Sequence, residues 1–274
     1  MNPKFYTWGT YALLIFILVL AFFPIFWLVL LSLKTQVQAM TYPPLFIFKP
    51  AWQNFVRLFT DDSFFGFSLL NSVIVSLGSV GSSLLIGVPT SYALLHSKFR
   101  FKKILLSWNL TTRMVPGMVF IIPYFTAYQV IGLRDTYVGL ILIYAIYNLP
   151  LVIWIMVPFF DQIPRELEEA ARVDGATLFD AFFKIVLPVS TPGLITATIL
   201  TFIFSWNEFV FAVILTRRNA ITAPVAITKY IAYVGLEWGT MAAGGVCMLI
   251  PVVVISALIR KYMVKGLMAG AVKG

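Results

Sequence analysis

Six nearly unbroken apolar stretches alternate with short polar ones along this chain, at about residues 8–33, 67–95, 104–130, 137–160, 188–216 and 240–262. Each is longer than the roughly 20 residues an α-helix needs to cross the hydrocarbon core of a bilayer. The pattern predicts an all-α integral membrane fold of six transmembrane helices, forming a single domain over 1–274. The first stretch is too long for a cleaved signal and no small-x-small site follows it, so it reads as an uncleaved anchor. Between the first two stretches, Pro43, Pro44 and Pro50 break the chain, and Trp52, Phe55, Val56 and Phe59 then fall at helical spacing. That spacing fits a short helix lying at the membrane interface or one packed on the neighbouring spans. The second stretch carries Ser79, Ser83 and Gly87, a stripe of small residues that lets helices approach closely. Prolines in or at the ends of five stretches, among them Pro89, Pro116, Pro150, Pro192 and Pro251, permit kinks.

One long stretch is polar and dense in charge. Residues 166–188 hold five of the chain's eleven acidic residues. Pro164 suits the first turn of a helix, where its missing N–H would be unpaired anyway, and Glu166, Glu168 and Glu169 favour that helix's positive end. A helix starting near Ile163 follows. Gly175 stands where a left-handed C-terminal cap is wanted, and Thr177 with Asp180 reads as a new N-cap with its capping-box partner. The prediction is helix, tight turn, helix between the fourth and fifth spans. Leu167, Ala170, Ala171 and Asp174 share one face of the first helix, small and shallow enough to dock in another protein's groove.

Composition confirms the class and charge sets the topology. The chain is 60% hydrophobic and 11% charged, which excludes a soluble domain. A net charge of +9 would suggest nucleic acid in a soluble protein; here the Lys and Arg report orientation first. Placing Lys4, the 96–103 loop, the 161–184 loop and the tail in the cytoplasm puts 12 Lys and Arg inside and seven outside. The short loop decides it, with Lys98, Arg100, Lys102 and Lys103 and no acid. Both termini and the acidic hairpin then face the cytosol, and the membrane is the expected location. One Cys and one His give no intrachain disulfide and no basis for a His-built metal or catalytic site.

Four polar residues lie inside apolar stretches. Arg113 comes about ten positions into the third, roughly 15 Å deep at 1.5 Å per residue, where an ionisable group faces a bundle interior or a water-filled cavity. Asn148 reaches similar depth in the fourth, and Asn207 and Glu208 lie in the outer half of the fifth. Either these residues border a polar passage, or Arg113 and Glu208 pair to hold helices together.

The pattern Glu169-Ala170-Ala171, three residues, Gly175, nine residues, Ile185-x-Leu187-Pro188 resembles the cytoplasmic loop signature of ABC importer permeases. Ser205-Trp206-Asn207-Glu208-Phe209, Asn148-Leu149-Pro150, the Pro43-Pro44…Asn54-Phe55 run and the 261–274 tail are similar to the maltose-type carbohydrate branch, so the resemblance spans nearly the whole chain. It implies a binding-protein-dependent sugar importer of the prokaryotic plasma (inner) membrane. Its implied partners are a second, homologous permease subunit, two ATPase subunits and an extracytoplasmic sugar-binding protein, with lipid around the spans. By the same resemblance Glu166, Glu168, Glu169, Ala170, Ala171, Asp174 and Gly175 form the ATPase-coupling helix, 217–239 touches the binding protein, and the tail approaches the ATPase interface. ATP and Mg would be bound by the partners: this chain has no Gly-x-x-x-x-Gly-Lys-Ser/Thr phosphate loop and is expected to carry no cofactor and to be no enzyme alone. Arg113 raises the expectation of an anionic, sugar-like ligand.

Rival classes fit less well. An ion-coupled secondary transporter needs buried acids, and only Glu208 lies well inside a span. An intramembrane enzyme lacks paired carboxylates and histidines. An ABC permease for a non-sugar solute or a purely structural membrane scaffold would share much of the pattern.

Overall fold

The computed structural model describes residues 3–60, 64–97, 100–232 and 235–271. Lys98 of the basic loop and residues 272–274 lie outside these, as do the side chains of Lys4 and of the tail from 259 onward. In chain order the helices are α1 (Pro3–Ser32), α2 (Gln36–Met40), α3 (Gln53–Thr60), α4 (Phe64–His96), α5 (Lys102–Met114), α6 (Ile121–Val130), α7 (Tyr137–Asp161) and α8 (Arg165–Val173). They continue as α9 (Leu178–Ala181), α10 (Leu187–Val189), α11 (Thr191–Trp206), α12 (Val210–Leu215), α13 (Ala223–Ile227) and α14 (Trp238–Ala271). A minimal antiparallel hairpin, β1 (Ile231–Ala232) with β2 (Gly235–Leu236), precedes α14.

Four helical stretches are long and apolar enough to cross a membrane unaided: Trp8–Ser32, Phe64–His96, Tyr137–Asp161 and Trp238–Leu258. The third apolar stretch is bent within itself, and the fifth turns sharply at its start, where the hairpin runs into it. Lys102–Met114 meets Gly117–Val130 at 86°, and Leu178–Val189 meets Thr191–Trp206 at 75°. Counting each bent pair as one span gives the six that hydropathy predicts. The first bend has a local cause, since Val115 precedes Pro116, is pushed out of helical geometry and sits at ψ 123°. The fifth stretch is also shorter as a helix than its hydropathy suggests, because α11 stops at Trp206 and the chain restarts as α12 only at Val210.

The chain forms two compact units, residues 1–67 with 226–250, and 68–225 with 251–274. In the first, Asn54 Nδ2 donates to the carbonyls of Ser32 and Lys34, both at 2.8 Å, and ties α3 to the end of α1. With Asn54 and Leu58 buried, Trp52, Val56 and Phe59 are left exposed. Phe59 nevertheless meets Phe65 at the start of α4 edge to face, with 6.0 Å between ring centroids, so α3 is packed on a neighbouring helix while Trp52 and Val56 stay open.

The second unit is built around α7, against which α5, α11 and α12 pack. Val152, Met156, Phe160 and Val186 are fully buried in one apolar cluster, and Val75, Ile143, Tyr144 and Phe211 in another. Lipid tails are as apolar as these side chains, so close packing and polar contacts hold such helices together more than the hydrophobic effect does. The small-residue stripe of α4 provides both. Ser79 Oγ and Ser205 Oγ are 3.1 Å apart, and Ser83 Oγ donates to the Ala145 carbonyl at 3.3 Å. At Gly87 an added Cβ would come within 2.7 Å of Val152 Cγ1.

Candidate coupling hairpin and membrane cavities

Between α7 and α11 the backbone follows its local signals. Ile163 precedes a proline and stays outside the helix, and Pro164 is extended with ψ 131°, so α8 begins at Arg165, two residues later than the sequence suggests. Its end is a Schellman motif: Gly175 takes φ +89°, Ala176 N–H donates to Ala171 C=O at 2.9 Å and Gly175 N–H to Arg172 C=O at 3.1 Å. Thr177 Oγ1 then accepts from Asp180 N–H while Asp180 Oδ2 accepts from Thr177 N–H, which starts α9 with a complete capping box. Lys184 pairs with Asp180 one turn on, at 2.5 Å. The wider turn at Phe182–Val186, a π-helix, carries the chain into α10.

The seven residues of the expected coupling set divide by direction. Glu166, Glu169, Ala170, Asp174 and Gly175 are exposed, together with the apolar side chains of Leu167, Val173, Leu178 and Phe179. Glu168 and Ala171 are buried against their own chain. Glu168 Oε2 accepts from the Tyr92 hydroxyl at 2.6 Å, and Oε1 lies 3.1 Å from His96 Nε2, whose Nδ1 faces the Tyr92 carbonyl at 3.0 Å. The last turn of α4 thereby grips α8. Nothing in the local pattern separates Glu168 from its acidic neighbours, and its partner His96 lies 72 residues earlier.

Of the four polar residues in the spans, three share one cavity. Asn148, Asn207 and Glu208 line a space of about 270 Å³, and Arg113 lines a neighbouring one of about 220 Å³. Tyr147 and Phe211 border both. Asn148 Nδ2 donates to Ser205 Oγ at 3.0 Å, which leaves its buried Oδ1 without a partner. Asn207 donates to the Ile203 carbonyl at 2.8 Å. Glu208 Oε1 accepts from Phe211 N–H at 3.0 Å and Oε2 from Ala212 N–H at 3.2 Å, so its charge sits at the N-terminus of α12, where a helix favours an anion. The Arg113 guanidinium lies over the rings of Phe204, at 4.3 Å, and Tyr147, at 5.7 Å. Arg113 and Glu208 form no ion pair, which removes the helix-pairing alternative.

Composition and spacing gave no hint of a clasp at the other end of this unit. Asp135, with φ +57°, presents its carboxylate to four consecutive backbone N–H groups, of Arg217, Arg218, Asn219 and Ala220, at 2.9–3.2 Å. Burial raises its pKa, but those four donors outweigh burial and hold it below the ordinary range. Asn71 reinforces the same segment, donating to the carbonyls of Asn219 and Ile221 and accepting from the Tyr137 hydroxyl.

Bent and interrupted apolar helices around cavities bordered by a few polar side chains, with a capped polar hairpin between the fourth and fifth apolar stretches, mark a multi-pass membrane protein. The family described as binding-protein-dependent transport system inner membrane component matches residues 83–268, and the chain belongs to it. Among curated proteins it is similar to the trehalose transport system permease protein SugB of Mycobacterium tuberculosis, 38% identical over 93% of both chains. It is also similar to the sulfoquinovosyl glycerol transport system permease protein SmoH of Agrobacterium fabrum, 34% identical over 94% of this chain and 91% of that one. Among solved structures, a chain of a bacterial ABC transporter involved in the import of the acidic polysaccharide alginate superposes with a TM-score of 0.78, covering 96% of this chain and 98% of that one at 23% identity. The fold and the family agree.

Proposed function

We propose that this chain is one of two permease subunits of an ATP-driven, binding-protein-dependent importer of a sugar or sugar-like solute in a prokaryotic inner membrane, with both termini cytoplasmic. The transport systems named for its relatives carry trehalose, a sulfoquinovosyl glycerol and alginate, which supports a carbohydrate substrate. Coupling runs through α8. The observation that carries this reading is a rigidly capped hairpin whose outward face offers Leu167, Ala170 and Val173 ringed by Glu166, Glu169 and Asp174. Exposed apolar side chains rimmed by charge mark a protein interaction site. ATP binding by two partner ATPase subunits closes them, the seated hairpin moves as a lever, and the spans rock between inward- and outward-facing states. ATP and Mg belong to those partners. Asn148, Asn207, Glu208 and Arg113 border the passage the solute takes.

Purification from native membranes tests the assignment. The chain should co-isolate with an ATPase whose activity rises with a sugar-loaded binding protein. Uptake by the chain alone, driven by a sodium or proton gradient, would replace this reading with a secondary transporter.

A further inference from the structure

The cavity at Arg113 holds a charge that the described chain does not balance. Arg113 Nη1 is closed off from solvent with no hydrogen-bond acceptor, and no carboxylate is among the residues that line the cavity. Glu208, in the adjoining cavity, has both oxygens engaged by the backbone of α12. A guanidinium offers five N–H donors and stays protonated, so one that borders a cavity with no carboxylate among its lining residues has donors to offer an anion. Four aromatic side chains, Phe120, Tyr124, Tyr147 and Phe211, stand among the residues around it.

We propose that this cavity is a subsite for the acidic group of an anionic saccharide, a carboxylate or sulfonate carried on a pyranose ring. Arg113 takes the acid through the part of its guanidinium that borders the cavity, held in place by its cation–π contacts with Phe204 and Tyr147. The rings of Phe120 and Tyr124, which also line the cavity, then offer an apolar surface to the C–H face of the sugar. A carboxylate from a neighbouring subunit would answer the charge but would leave the aromatic walls without a flat partner, so the geometry favours the saccharide. The proposal rests on the cavity being part of the solute passage.

The complete transporter, reconstituted with Thr112→Cys and Cys247→Ser in this subunit, tests it. Thr112 lines the cavity, and labelling of the introduced thiol by a membrane-impermeant maleimide is followed with galacturonate or galactose present. Galacturonate should slow labelling where galactose at equal concentration does not. Arg113→Gln should raise the galacturonate concentration for half-protection about tenfold or more, and Arg113→Lys should fall between. Equal protection by the two sugars, protection by neither, or unchanged galacturonate protection in Arg113→Gln overturns the proposal. The comparison of sugars needs no change at Arg113, so a misfolded variant cannot mask it. Labelling without charge-selective protection leaves the passage standing and removes the subsite alone. A thiol the reagent never reaches removes both.

Discussion

Four backbone N–H groups converge on the one carboxylate of Asp135. Its lowered pKa fixes the sign of the pH dependence. The clasp contributes in full above the unfolded value of about 3.9 and is lost as pH falls through the lower folded value. Asp135→Ala should therefore destabilise the purified protein at pH 7 by about 1–2 kcal/mol, less than a fully buried charge because the carboxylate is partly open to water. The gap between wild type and variant should narrow as pH drops below about 4, read as thermal midpoints in detergent; a gap independent of pH would contradict the charged clasp. Asp135 was illegible in the sequence because its partners lie more than 80 residues away. Arg113 was legible because a guanidinium inside an apolar stretch demands an enclosed, non-lipid setting wherever the rest of the fold puts it.

At the scale of elements, the coupling hairpin could be read to within two residues because proline, glycine and capping-box signals act over four or five positions. The long spans were legible by hydropathy for a different reason: length alone fixes them. Hydropathy does not record direction, however, so the 86° bend and the gap between α11 and α12 were hidden inside runs that look continuous, and the 75° bend falls where the hairpin joins the fifth run. The Gly87 contact between α4 and α7 is an element-scale constraint. Gly87→Leu should push Val152 and Leu149 of α7 away from α4 at a cost of about 1–3 kcal/mol, seen as a lower thermal midpoint, while an unchanged midpoint would mean the helices have room to part. The Tyr92–Glu168 bond joins α4 to α8 in the same way. Tyr92→Phe should leave the protein inserted but lower binding-protein-stimulated ATPase activity several-fold, roughly what loss of one hydrogen bond to a charged group allows. Full stimulation in that variant would show that α8 keeps its position without the grip.

For the whole molecule, the central claim is mechanical: nucleotide-driven motion of partner subunits enters this chain through the outward face of α8 and leaves as a change in access to the cavities of the spans. Family membership establishes a transport component; the proposed route of the force rests on the capped, outward-facing hairpin and its bond to α4. The most direct measurement is binding-protein-stimulated ATP hydrolysis by the reconstituted complex carrying Glu169→Lys, which reverses one exposed charge on that face and touches no packing contact. The account predicts that stimulation and solute uptake collapse together while the subunit remains inserted and folded. Wild-type stimulation and uptake in that variant would contradict it.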